Sequence, residues 1–217
     1  MKTLSLTKIA LAVAVSSFSL SSFSQTTADV FNSGTPITWM GVDFSEMRYL
    51  GDPETVDATE MKNLTQKINY LLIKEAKKYD VAASLDKNQV TTDFSLTDKV
   101  NQNMNATAII STNQSDYTRF KPETIQSMVK GYDFGALKGV GLVFIVEALN
   151  KNVEAAAIWV TFVNMNNKSV LVTERVTGRG LGFGFRNHWA GSIHDALKQI
   201  SGGLFKEWKK KYTKSEK

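Results

Sequence analysis

The sequence predicts a mixed α/β domain of the α+β kind: a mixed sheet ending in an antiparallel three-stranded meander, with a long closing helix packed on it. Three observations predict it. Residues 141–149 are a nearly continuous apolar run (Leu142, Val143, Phe144, Ile145, Val146), which reads as a strand covered on both faces. Two further strand-like runs, 155–163 and 169–177, follow across the turns Asn150-Lys151-Asn152 and Asn166-Asn167. Asparagine tolerates the left-handed conformation that such turns require, so the three runs read as hairpin-linked neighbours. Trp189, Ile193, Leu197, Ile200, Leu204, Trp208 and Tyr212 then recur at three- and four-residue spacings, the stripe of a helix burying one face.

The remaining elements follow in chain order. Residues 1–24 read as a secretory signal: Lys2 and Lys8 make a basic start, 9–15 an apolar run, and Ser22 and Ser24 place small residues at the positions a signal peptidase reads, so the cut falls before Gln25. The apolar run is far shorter than the roughly 20 residues of a membrane-spanning helix. Residues 25–35 are small and polar, a flexible leader. Residues 36–212 form one domain, since no proline- or serine-rich linker and no repeat interrupts them, and 213–217 form a polar basic tail.

Within the domain, 37–44 have the aromatic and apolar density of a strand. Gly51-Asp52-Pro53 punctuates, with Asp52 able to cap a helix and Pro53 suited to its first turn. Met61, Leu64, Ile68, Leu71, Leu72, Ala76 and Tyr79 then mark an amphipathic helix. Residues 90–94 read as a short strand, 95–104 as a short helix, 107–112 as a strand, and Pro122 opens a helix running to about Lys130.

There is no cysteine, so neither a disulfide framework nor a thiol for lipid attachment is present. The formal charge is +5; without Lys2 and Lys8 the remaining chain has 24 basic and 21 acidic residues, a net +3. Much of the excess sits at Lys206, Lys209, Lys210, Lys211, Lys214 and Lys217, where cations complement a helix C-terminus. A nucleic-acid surface would need basic residues interleaved with aromatics or spread along a face, so no nucleic-acid partner is expected.

Chemistry is sparse. Glycine occupies every second position of Gly178-Arg179-Gly180-Leu181-Gly182-Phe183-Gly184-Phe185. Extended, this tract would present four bare positions on one face and Arg179, Leu181, Phe183 and Phe185 on the other. A bare face allows close packing of a helix on the sheet, or approach of a ligand. The alternative is a flexible, phosphate-cradling loop ahead of a helix whose N-terminus favours anions. The dinucleotide pattern Gly-x-Gly-x-x-Gly fails here, and no Gly-Lys-Ser/Thr follows. At the exit, Arg186 could clamp a carboxylate or other anion, whereas Asn187 as an N-cap and Trp189 as the first buried position explain two of the four exit residues without a ligand. The candidate ligand-binding residues are therefore Arg48, Arg179, Gly180, Gly182, Gly184, Arg186 and Asn187.

His188 and His194 are the only histidines; on a helix they lie about 240° apart, so they cannot share a metal. No metal, cofactor or catalytic residue is indicated. Asp43, Glu46 and Asp52 are the remaining carboxylate option for a hydrolase. The Gly202-Gly203 pair inside the last helix indicates either close approach of a neighbour or a break.

The order of elements, with the 141–149 and 178–190 segments, resembles the amino-terminal domain of the TolB type and the related subunits of curli-secretion pores, over roughly residues 37–212. The resemblance implies a cell-envelope protein working through protein contacts. The chain lacks the lipid-bearing cysteine common among the pore subunits and the propeller repeats of full TolB. The leading expectation is thus an exported, periplasmic or secreted, non-enzymatic interaction or assembly module whose partner is another envelope protein, with a homo-oligomer as a further option. The alternatives are a small anionic-ligand-binding protein and a carboxylate-dependent hydrolase. An exposed apolar groove favours the first, a pocket lined by Arg48, Arg179 and Arg186 the second, and two carboxyl groups meeting in a cleft the third.

Overall fold

The computed structural model describes residues 25–52 and 57–214. The expected signal, the Pro53 position and the last three residues of the basic tail lie outside them.

Seven strands form one mixed sheet built around β5 (Val140–Asn150). All eleven residues of β5 are buried, which is why the run is apolar but for Glu147 and Asn150, whose side chains accept hydrogen bonds within the fold. On one side β5 pairs in parallel with β1 (Ile37–Asp43) along its first half and with β2 (Arg48–Leu50) at its end. The short strands β3 (Val90–Thr92) and β4 (Ile110–Ser111) add in parallel outside β1 and β2. On its other side β5 runs antiparallel to β6 (Ala155–Asn164), which pairs antiparallel with β7 (Ser169–Arg179). The mixed α/β fold and the C-terminal meander are therefore present. The asparagines at its turns act differently from expectation. The left-handed positions are Glu154 (φ 49°) and Lys168 (φ 59°), while Asn150 and Asn164 accept hydrogen bonds from the amides of Asn152 and Asn166, each at 3.0 Å.

Helices cover both faces. On one, Phe144, Ile158, Phe162 and Val176 pack against Met61, Ile68 and Leu72 of α2 (Ala58–Lys74) and Trp189, Ile193 and Leu197 of α6 (Phe185–Gln199). On the other, Val143, Ile145, Trp159 and Val163 meet Ile125 and Val129 of α5 (Pro122–Gly131), together with Tyr132, Phe134 and Leu96 of α4 (Ser95–Gln102).

Several sequence expectations need correction. Residues 25–35 are not a flexible leader: Thr27–Phe31 form helix α1, whose Val30 and Phe31 are buried, because Val30 and Phe31 supply apolar area that the polar surroundings disguise. Helix α2 is capped not by Asp52 but by Asp57, whose carboxylate accepts the Glu60 amide at 2.9 Å. It stops at Lys74, so Ala76 and Tyr79 lie beyond it, and Tyr79 is buried from a loop before the short helix α3 (Val81–Ser84). The strand β2, with only three residues, leaves no periodic trace in the sequence.

The closing helix is interrupted. After α6 a wide turn, Ile200–Leu204, contains Gly203 at φ 151°, and α7 (Phe205–Lys214) sets off in a new direction. Its aromatic residues reach α1: the Phe31 ring is 5.3 Å from Phe205 and 6.2 Å from Tyr212.

Candidate functional site

The glycine tract is not one extended strand. Gly178 and Arg179 end β7; residues 180–184 form a loop, and α6 starts at Phe185. Gly184 holds the N-cap position at φ 75°, and Asn187 sits in the first turn instead of capping it, so the capping expectation for Asn187 fails. Asn187 accepts both bonds of the Arg186 guanidinium, at 3.1 and 3.0 Å.

Two glycines set how closely α6 approaches. A Cβ on Gly178 would stand 2.1 Å from the carbonyl oxygen of Ser192, and one on Gly191 would stand 2.1 Å from that of Leu181. Gly178 on the strand thus meets the helix backbone directly, and Gly191 on the helix meets the backbone of the loop at Leu181. Gly180 serves a third contact: the His188 ring lies against it, at 2.1 Å from where its Cβ would be. The loop is drawn onto α6 by the Leu181 amide donating to the His188 carbonyl at 3.0 Å. The buried His188 Nε2 has no hydrogen-bond partner, and the ring stands edge-on to Trp189 at 4.6 Å.

This construction walls an open groove of about 720 Å³. Tyr49 at the end of β2, Phe185 and Trp189 supply its aromatic lining, with Tyr49 and Phe185 rings 6.1 Å apart. Lys151, Asn152 and Glu154 of the β5–β6 turn and Asp52 form its polar rim; Lys151 and Glu154 pair at 2.8 Å. The groove opens at the carboxyl ends of β2 and β5, where open α/β sheets place their crevices. Phe183 stands at its mouth, 95 % exposed, with Leu181 beside it at 49 %. Phe183, Gly184 and Phe185 also wall a second hollow of about 490 Å³ with Leu64 and Arg186, so Phe183 is a ridge between two concavities.

The arginines are not brought together. Arg48 alternates with Tyr49 along β2 and so faces away from the groove; its guanidinium lies on the Glu46 and Met47 carbonyls, at 3.4 and 3.2 Å. Arg179 is tied to Asp195, which accepts its amide at 2.9 Å and lies 3.6 Å from its guanidinium. Arg186 lines only the second hollow. Of the sequence candidates, Gly180, Gly182 and Gly184 line the groove; Asn187 shares the second hollow with Arg186.

The carboxylates do not meet either. Asp43 is fully buried, accepting the Tyr132 hydroxyl and, at 2.7 Å, the Ser45 amide; burial raises its pKa, partly offset by those bonds. Glu46 is exposed, and its backbone carbonyl accepts a guanidinium bond from Arg119. Asp52 alone of the three reaches the groove. A carboxylate the sequence reading passed over, Glu147 in β5, is buried and accepts from the Phe120 amide (2.5 Å), Trp159 Nε1 (3.1 Å) and Arg175 Nε (2.9 Å). Its bonds join β5, β6 and β7 to the loop before α5, a structural tie. Among the described residues no cluster of three His, Cys, Asp or Glu is placed to hold a metal, and no helix is long and apolar enough to cross a membrane.

The outer edge of β7 is covered by side chains. Tyr212 donates to the Thr173 carbonyl (3.3 Å), Gln199 to that of Thr177 (2.8 Å), and the Val170 amide donates to Gln126 (2.9 Å). With Asp195 on Arg179, this blunts the edge against strand addition. The opposite edge consists of strands of three and two residues, too short to template another.

No family model matches the chain, and neither a curated protein nor a solved structure matches it.

Proposed function

We propose that this chain is an exported, non-enzymatic interaction module that takes an apolar or aromatic segment of an envelope protein in the groove behind Phe183. The observation that carries the reading is Phe183 itself: a phenyl ring 95 % exposed, raised on glycines between two hollows, one of them lined by Tyr49, Phe185 and Trp189. A large aromatic with almost no burial in its own fold supports a contact made with something else. Export follows from the signal-like 1–24, and the TolB-type element order belongs to the same proposal. The closed edge of β7 supports a groove contact over strand addition. The dispersed arginines and carboxylates give the anion-binding and hydrolase readings nothing comparable.

Affinity capture from envelope extract tests it, comparing the wild type with Phe183→Ser. The substitution removes no internal contact of consequence, so it should leave thermal stability unchanged while depleting the captured partner at least tenfold. Undiminished capture by a folded Phe183→Ser protein would sink the proposal.

A further inference from the structure

We propose that the outer face of α7 holds this protein against an anionic phospholipid surface through a row of lysines. The contact is peripheral and separate from the groove behind Phe183.

Three aromatic residues fix which way α7 faces. Phe205 and Trp208 are buried, and the Phe205 and Tyr212 rings meet Phe31 of α1. The Tyr212 hydroxyl also donates to the Thr173 carbonyl of β7 at 3.3 Å. At 3.6 residues per turn, the direction opposite these three belongs to Lys206, Lys210 and Lys214. They follow one another at four-residue spacing, and all three are exposed. Lys209 adds a further exposed ammonium on one shoulder of the helix, while Lys211 on the other is paired with Glu174 at 2.5 Å. Among the described residues, Lys206, Lys209, Lys210 and Lys214 form no ion pair with a carboxylate. Glu207 is the one acid in α7.

The fold does not account for this row. Like charges four residues apart on a helix repel, so Lys206 with Lys210 and Lys210 with Lys214 weaken α7. The helix dipole favours cations in the last turn, which explains Lys211 and Lys214. Lys206 lies in the first turn, where it has no such support. Solubility asks for surface charge but not for alignment.

The chemistry of the face selects the partner. Lysine carries a compact, strongly hydrated charge on a flexible stem and lacks the planar fork with which arginine clasps one carboxylate. It suits a layer of many phosphates better than a single anionic group. The aromatic residues of α7 point inward, so the lysine face offers no platform on which nucleic-acid bases could stack. It also has no apolar side chain to insert between acyl chains. What remains is electrostatic attraction to headgroups. Each lysine near an anionic bilayer contributes about fivefold in partitioning, or roughly 1 kcal/mol, and salt screens the effect.

The test is co-sedimentation of the full chain with phosphatidylcholine vesicles, with and without phosphatidylglycerol. The quantity read is the ratio of the two partition coefficients, so binding common to both vesicles cancels. Lys206→Gln/Lys210→Gln is compared with Lys130→Gln/Lys138→Gln, which removes the same charge from exposed positions outside α7. Circular dichroism confirms that each variant is folded. Expected is a wild-type ratio well above one that collapses in high salt. The α7 variant should lower it about 25-fold, and the other pair should leave it within about twofold. A wild-type ratio of one overturns the proposal. So do equal losses in the two variants, which would make net charge the cause, and an undiminished ratio in a folded α7 variant.

Discussion

The two glycine-bearing junctions of the C-terminal helical segment look alike in sequence and are built on different physics. At the leading end, Gly178, Gly180 and Gly191 are needed for space: each would drive a Cβ to 2.1 Å from a neighbouring atom. At the break before α7, a Cβ on Gly202 or Gly203 would meet nothing within 4 Å, and of the two only Gly203, at φ 151°, occupies a backbone conformation that other residues avoid. The first junction is held by contacts and the second by a dihedral angle. The groove lies beside the first.

Substitutions separate the two. Gly178→Ala should have the largest effect, about 3 kcal/mol of lost stability in urea unfolding, because the obstructing Ser192 oxygen is backbone and cannot swing away. A loss below about 1 kcal/mol would mean that α6 shifts freely on the sheet, and the distinction would collapse. At the break, Gly203→Ala should cost about 1–2 kcal/mol through its dihedral alone. Its neighbour Gly202→Ala should instead stabilise by about 0.5–1 kcal/mol, since it is exposed and meets nothing. Equal effects at 202 and 203 would contradict a dihedral origin.

A smaller effect sharpens the second junction. The break turns α7 onto α1, and α1 is pinned by Lys87, which is 6 % exposed and whose ammonium burial pushes down to about 8. Between about pH 8 and the usual lysine value the unfolded chain binds a proton that the folded one does not, so stability should rise with pH across that window. Below about 8 both states are protonated and the penalty is constant. Tyr79 and Tyr212, whose hydroxyls burial pushes up, act in the opposite sense above about pH 10, so the comparison belongs between about 8 and 9.5. Urea midpoints should rise there for the wild type and stay flat for Lys87→Met; a flat wild type would show that Lys87 does not anchor α1 as a buried cation.

Long, periodic or nearly continuous apolar segments were legible in the sequence: β5 and the meander from apolar runs bounded by turn residues, α2 and α6 from apolar residues at three- and four-residue spacings. What was not legible depends on partners distant in the chain. Two apolar residues, Val30 and Phe31, dock a segment whose composition is otherwise that of a leader. At the candidate site, alternation suggested a strand where Gly182 (φ 112°) and Gly184 (φ 75°) turn the chain into a loop. Phe183 and Phe185 alternate identically in sequence, yet one is 95 % exposed and the other packs by Tyr49 and Trp189. Tyr49 entered the groove unseen because β2 is three residues long. The arginines were grouped by proximity to the tract and by charge, and strand alternation separates Arg48 from it.

The most direct measurement is photo-crosslinking in envelope extract from a reactive aromatic analogue placed at position 183, against the same analogue at position 70. Tyr70 is also an exposed aromatic, at 58 %, but it lies on α2 and does not line the groove. A discrete partner crosslinked from 183 and absent from 70 is the predicted result. The same products from both positions, or a partner seen only from 70, would contradict a contact surface built on the glycine loop.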